Sequence, residues 1–160
     1  MTDQFAANHE LVVTRLIDAP PETVYKVWTE RTGEWWAPRP YTTPEVDFDL
    51  RPGGRCRALM RAPDGTDMPD EEGVFLEVVP NRKIVFTNAF APGWIPQNPF
   101  MVVIVAFDPE GSGTRYTARV LHWNEETLKQ HEQMGFHEGW GAVAGQLAEL
   151  AESKPVATAA

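Results

Sequence analysis

Hydrophobic and polar positions alternate in two different rhythms along this chain, and the change from one to the other outlines its architecture. Leu11 to Ile17 is β-branched and apolar enough for a first strand, stopped by Asp18-Ala19-Pro20-Pro21. Val24, Val27 and Trp28 then recur at helical spacing, predicting a short helix over about Pro21 to Thr29, with Pro21 in a first turn that needs no N–H. Gly33 interrupts it, and a second short helix is expected through Glu34-Trp35-Trp36, ending at Pro38.

Beyond Pro38 the period falls to two. Val46, Phe48 and Leu50 alternate with Glu45, Asp47 and Asp49; Cys56, Ala58 and Met60 alternate with Arg55, Arg57 and Arg61. Pro52-Gly53-Gly54, Pro63-Asp64-Gly65 and Pro80-Asn81 supply turns between these segments and the apolar runs Gly73 to Val79 and Lys83 to Phe90. A proline-rich loop, Ala91 to Pro99, precedes a continuous apolar strand from Met101 to Phe107. In the last strand Tyr116, Ala118, Val120 and His122 share one face, opposite Arg115, Thr117 and Arg119.

The helical rhythm returns in one long segment, Asn124 to Glu152. Asn124 suits an N-cap, and Glu125 and Glu126 lie where the helix dipole favours negative charge. At 100° per residue, Phe136, Trp140, Val143, Ala144, Leu147, Leu150 and Ala151 form one stripe, which Glu132 and Gln133 continue in the first half. About six or seven strands joined by short turns imply an antiparallel sheet with one face to cover, and only this helix is large enough to cover it. The expected class is α+β: a curved sheet wrapped around a long C-terminal helix, with two short helices after the first strand. Residues 10–152 make one domain, between a flexible N-terminus (1–9) and a disordered small-residue tail (153–160).

With 160 residues, one domain can bury about two-thirds of its unfolded surface. A net charge of −9 without any basic run excludes binding to a phosphate backbone. Cys56 is the single cysteine, so no internal disulfide and no zinc cluster are expected. Neither a secretory signal nor an apolar run of membrane-spanning length is present, which points to the cytoplasm.

Several phrases taken in order resemble the START/Bet v 1-like (SRPBCC) superfamily and its helix-grip fold. They are Arg15-Leu16-Ile17-Asp18-Ala19-Pro20, Trp35-Trp36, Asp49-Leu50-Arg51-Pro52-Gly53-Gly54, Pro63-Asp64-Gly65, Gly73 to Pro80 leading into Phe86-Thr87, and Gly139-Trp140. The branch they are most similar to is the domain related to the C-terminal part of the heat-shock protein 90 ATPase activator. The resemblance implies a small-molecule binding protein, a polyketide-cyclase-like enzyme or a stress-related co-chaperone module; nothing in the chain matches the activator's other domain.

Candidate chemistry concentrates around the first half of the long helix. His131-Glu132-Gln133-Met134-Gly135 is not a zincin motif, because position 135 would have to be His. On a continuous helix His131 and His137 lie about 120° apart, and His131 points away from Trp140 towards solvent, so no metal site is expected. Glu132 and Gln133 project from the inward stripe, and a buried carboxylate needs a partner such as His122 or Arg57 unless this helix end protrudes beyond the sheet. His122 reads as a polar anchor of a cavity, a general base beside Glu132, or a satisfied structural residue.

Trp35, Trp36, Met60, Phe136, Phe100 and Trp123 supply apolar groups for a pocket, Trp28 and Trp140 read as core, and Trp94 in its proline-rich loop reads as a lid or a subunit contact. Four glycines, Gly135, Gly139, Gly141 and Gly145, imply close approach of another element or a kink near 135–141. The chain has no G-x-S-x-G and Cys56 reads as a buried small hydrophobe, so nucleophilic catalysis has little support; Gly53-Gly54 is a hairpin turn without a following helix, not a phosphate-cradling loop. The leading expectation is a protein that binds a small apolar or amphipathic ligand, as a monomer or a homodimer, without a cofactor.

Overall fold

A computed structural model describes residues 9–70, 72–98 and 101–153. Phe100 and nearly all of both terminal segments, 1–8 and 154–160, lie outside the described residues, as do the expectations placed on them. Among the described residues, nine strands and three α-helices follow one another: β1 (Glu10–Ile17), α1 (Pro21–Glu30), β2 (Thr42–Phe48), β3 (Arg55–Arg61), β4 (Glu72–Val79), β5 (Lys83–Thr87), β6 (Phe90–Ala91), β7 (Ile95–Pro96), β8 (Met101–Glu110), β9 (Gly113–His122), α2 (Glu125–Gln133) and α3 (Phe136–Glu152).

Seven strands form one antiparallel sheet in the order β1-β9-β8-β5-β4-β3-β2. The pair β6–β7 is a separate small hairpin within the proline-rich loop. Burial along β9 alternates residue by residue, placing Tyr116, Ala118, Val120 and His122 on the inner face. Gly73 makes one close approach possible: a Cβ there would lie 2.1 Å from the Thr87 carbonyl of neighbouring β5. On the concave face α1 and α3 pack over the sheet. Ile17, Trp28, Phe75, Phe107, Phe136 and Leu147 are fully buried between the layers. This is the α+β helix-grip architecture.

Two local expectations are corrected. The second short helix is only a 3-10 turn, Thr32–Glu34, closed by bonds from the Trp35 and Trp36 N–H groups to the Thr32 carbonyl. Three residues cannot form an α-helical stretch, so Trp35 and Trp36 are left in the irregular segment that follows. The long C-terminal helix is also divided. Asn124 caps α2 through a reciprocal pair of bonds with Thr127, but the helix ends at Gln133, and Gly135 takes the left-handed conformation (φ 90°) before α3 begins. Glycine occupies that region without steric penalty, so it stops one helix and re-aims the next. The chemistry of the site depends on this break.

Candidate functional site

A pocket of about 320 Å³ opens between α3, the α2–α3 break and the inner face of the sheet. Its aromatic wall is built around Trp28 of α1. Trp28 stacks on Phe48 (ring centroids 5.7 Å apart) and lies 5.4 Å from Trp35 and 5.8 Å from Trp36. Its indole N–H donates to the Tyr116 hydroxyl at 3.2 Å. On the opposite wall Phe136 and Trp140, one turn apart on α3, stack 5.3 Å apart. Met60, Phe86, Met101 and Ala118 line the sheet side.

The irregular segment carrying Trp35 and Trp36 is held in place by Gln146. This residue is buried on the flank of α3's apolar stripe. Its Nε2 donates to the carbonyls of Trp35 (3.1 Å) and Ala37 (2.8 Å), and its Oε1 accepts from the Arg39 N–H at 2.9 Å. Every polar atom of the amide is thereby engaged, and the wall stays where a loop would otherwise wander. A lone glutamine beside an apolar stripe was the only sequence signal, and periodicity alone does not reveal such a role.

The polar corner of the pocket is a chain of three ring systems. His122 Nε2 lies 2.8 Å from His131 Nδ1, and the Trp140 indole N–H donates to His131 Nε2 at 3.3 Å. His122 Nδ1 lies 3.1 Å from the His9 carbonyl. A carbonyl only accepts, so His122 carries its proton on Nδ1 and accepts at Nε2; His131 must then donate from Nδ1, leaving its Nε2 to accept from Trp140. These contacts are mutually consistent only when both rings are neutral. Burial, reinforced by the neighbouring His122, pushes His131 down to about 4 from an ordinary 6.5. Burial likewise lowers His122.

The predicted residues divide sharply. Trp35, Trp36, Met60 and Phe136 line the pocket, joined by Trp28 and Trp140, which the pattern alone reads as core. His122 stands behind His131, engaged on both nitrogens. His131 itself is a correction: it is buried, lines the pocket and meets Trp140, because the turn at Gly135 rotates α2 away from the register of a continuous helix. The same rotation corrects Glu132 and Gln133, which lie exposed instead of facing inward. Arg57 pairs instead with Asp70 at 2.8 Å and Glu45 at 3.1 Å on the outer face of the sheet.

Trp94 lies at the tip of the β6–β7 hairpin, 54% exposed, against Phe90 and Gly53 and away from the pocket. A Cβ built on Gly139 or Gly141 would meet nothing within 4 Å, and one on Gly145 would meet only the Arg15 guanidinium. Among the described residues, the glycines therefore mark the break at Gly135 and not a tight helix contact. Cys56 is buried, and burial drives its thiol upward, away from reactivity. Among the described residues no group of three or more metal-ligating side chains assembles, and no helix is long and apolar enough to cross a membrane.

Residues 18–152 match the profile of the family described as Activator of Hsp90 ATPase homolog 1-like protein. Among solved structures, a protein of Nitrosomonas europaea is 36% identical, covering 89% of this chain and 93% of that one, with a TM-score of 0.85. A Mycobacterium smegmatis protein is 24% identical over 94% of both chains, with a TM-score of 0.78. An AHSA1-like protein of Aeromonas hydrophila shares the fold at 22% identity, covering 89% of this chain and 92% of that one, with a TM-score of 0.69. No curated protein matches.

Proposed function

This chain belongs to the Activator of Hsp90 ATPase homolog 1-like family, and we propose that it acts as a binding protein for a small apolar or amphipathic molecule. The observation that carries this reading is the pocket of about 320 Å³ walled by Trp28, Trp35, Trp36, Phe136 and Trp140. A volume of roughly 300 Å³ or more with mainly apolar walls and a few fixed polar groups is the usual form of a small-molecule site. Burying an apolar ligand there gains on the order of 25 cal/mol per Å² removed from water. The acid–base reading is less well supported, since Glu132 faces solvent and His122 already spends both ring nitrogens on His9 and His131.

Two measurements test the proposal. Native mass spectrometry of freshly purified protein should show a co-purified mass released by organic solvent. The neutral fluorophore N-phenyl-1-naphthylamine should bind saturably at one per chain, and Ala118→Trp should abolish that binding while leaving the far-UV circular dichroism spectrum intact. Non-saturable or absent binding in the wild-type protein would refute it.

A second reading rests on a different surface. Trp94 and Ile95, 54% and 59% exposed, form an apolar tip on the β6–β7 hairpin of a kind that docks on other proteins. If that tip engages a chaperone, as the family description suggests, the chain should raise the ATPase rate of purified Hsp90. The double variant Trp94→Ala/Ile95→Ala should lose the effect, and no stimulation by the wild type rejects this reading.

A further inference from the structure

Glycine is the poorest helix former after proline, because it gives up the most backbone freedom on folding, so a glycine inside a helix calls for a reason. A left-handed backbone is one reason, a neighbour too close for a Cβ is another, and the close approach of a ligand is a third. Gly135 has the first, at φ 90°, and Gly73 has the second, against the Thr87 carbonyl. Gly139 has neither. Its backbone is helical, with its N–H on the Gly135 carbonyl at 2.8 Å, and a Cβ built on it would meet nothing within 4 Å. It lines the pocket together with Phe136, Trp140 and Val143 of the same helix.

Helical geometry says where on the wall this gap lies. Gly139 and Gln146 are two turns apart on α3, so they point within about 20° of each other, about 10 Å apart along the axis. At the level of Gln146 that flank is closed, because its side chain reaches the Trp35 and Ala37 carbonyls and the Arg39 N–H. At the level of Gly139 there is no side chain to reach across, and Gly139, Trp36 and Pro38 all border the open pocket. Gly141 is the contrast within the same helix. A Cβ there also meets nothing, but Gly141 is not among the described residues that line the pocket.

We propose that Gly139 sets the size of the molecule the pocket admits: the ligand fills the volume that a side chain at 139 would take and lies against the α3 backbone there. The part of the ligand seated at this point is apolar and uncharged, since no Lys, Arg, Asp or Glu is among the described residues lining the pocket. A helix with glycine here is less stable than one with alanine, and the volume left free serves binding instead of packing. The inference rests on the binding reading above and specifies which ligands that site takes.

Two neutral probes that differ by one ring read the size limit: N-phenyl-1-naphthylamine and 1-naphthylamine, with affinities measured by equilibrium dialysis at pH 7.5. Gly139→Ala should weaken the larger probe about three-fold and Gly139→Leu about ten-fold or more, as overpacking of a filled site does. The smaller probe leaves the flank empty and should change less than about two-fold in both variants. Gly141→Leu, outside the pocket, should leave both affinities unchanged. In urea without probe, Gly139→Ala should raise the unfolding midpoint, as Gly141→Ala does, because nothing in the fold uses the space.

Wild-type affinity of Gly139→Leu for the larger probe, equal loss of both probes in that variant, or the same loss in Gly141→Leu each overturns the inference and leaves the pocket standing. A lowered urea midpoint for Gly139→Ala overturns it too, by showing that the fold itself needs the glycine. Failure of both probes to bind the wild-type protein overturns the binding reading, and this inference with it.

Discussion

Acidifying the protein from pH 7 to pH 4.5 should destabilise it through the His122–His131–Trp140 chain. His131 titrates at about 4 in the folded protein and near 6.5 when unfolded. Between those values the unfolded chain takes up a proton that the folded chain refuses. The stabilisation is therefore fully present above pH 6.5, is lost as pH falls through the window, and declines no further below about pH 4. Each tenfold difference in proton affinity between the folded and unfolded chains is worth about 1.36 kcal/mol. The loss by pH 4.5 is then about 2 kcal/mol from His131, and His122 acts in the same direction. The structural cause is specific: a proton on His131 Nε2 displaces the Trp140 N–H, and one on His122 Nε2 opposes the His131 N–H.

Carboxylates beside arginines act in a different window. Asp67, Asp70, Glu34 and Glu110, bonded to Arg61, Arg57, Arg31 and Arg115, are held below their ordinary values of 3.8 (Asp) and 4.5 (Glu). Their contributions are present above those values and lost below them, so the range from pH 6.5 to 4.5 isolates the histidines. Urea denaturation followed by far-UV circular dichroism across that range measures the effect, and an NMR titration should place the His131 ring midpoint near 4. Stability constant within about 0.5 kcal/mol from pH 7 to 4.5, or a His131 midpoint at 6 or above, would refute the reasoning.

The helix break and the wall clamp give further expectations. Gly135→Ala should cost roughly 1 kcal/mol although open space surrounds the site, because the penalty comes from the left-handed backbone; Gly135→Asn should cost less, and equal stabilities in urea would contradict this. Gly141→Ala should do the opposite, adding about 0.5–1 kcal/mol in the interior of α3 and raising Tm by about 2–4 °C in a calorimetric scan. Gln146→Leu should lower stability by about 2–3 kcal/mol, because the Arg39 N–H and the Trp35 and Ala37 carbonyls lose their partner. It should also weaken ligand binding, because the segment carrying Trp35 and Trp36 loses its clamp; unchanged ligand affinity in this variant would show that the clamp does not shape the pocket.

Much of the architecture was legible from periodicity because burial repeats with it. Period two in β9 and period 3.6 in α3 reflect one wet and one dry face, and residues such as Ala118, Val120, Leu147 and Ala151 lie where that rule puts them. Asn124 as a cap and Pro21 in the first turn of α1 were equally readable, because capping is a local matter of one side chain and its own backbone. The polar half of the site was not readable in this way. Glu132 and Gln133 looked inward and His131 outward only while the helix was taken as continuous, and the single left-handed residue Gly135 exchanged their roles. A helical wheel carries its angle forward without error only if no residue leaves the helical basin. Gly135 leaves it, so everything N-terminal to it was read in the wrong register.

Partnerships between distant segments lay further still from the sequence. Gln146 meets Trp35 from 111 positions away, and Tyr116 meets Trp28 from 88. No local pattern encodes which buried donor will find an acceptor and which, like Trp35 Nε1–H, will be left without one. The sequence by itself determined a sheet, a covering helix and an aromatic interior, since each follows from short-range spacing and the need to bury apolar surface. Tertiary structure alone decided that this interior contains a pocket and that His131, backed by His122, forms its polar corner.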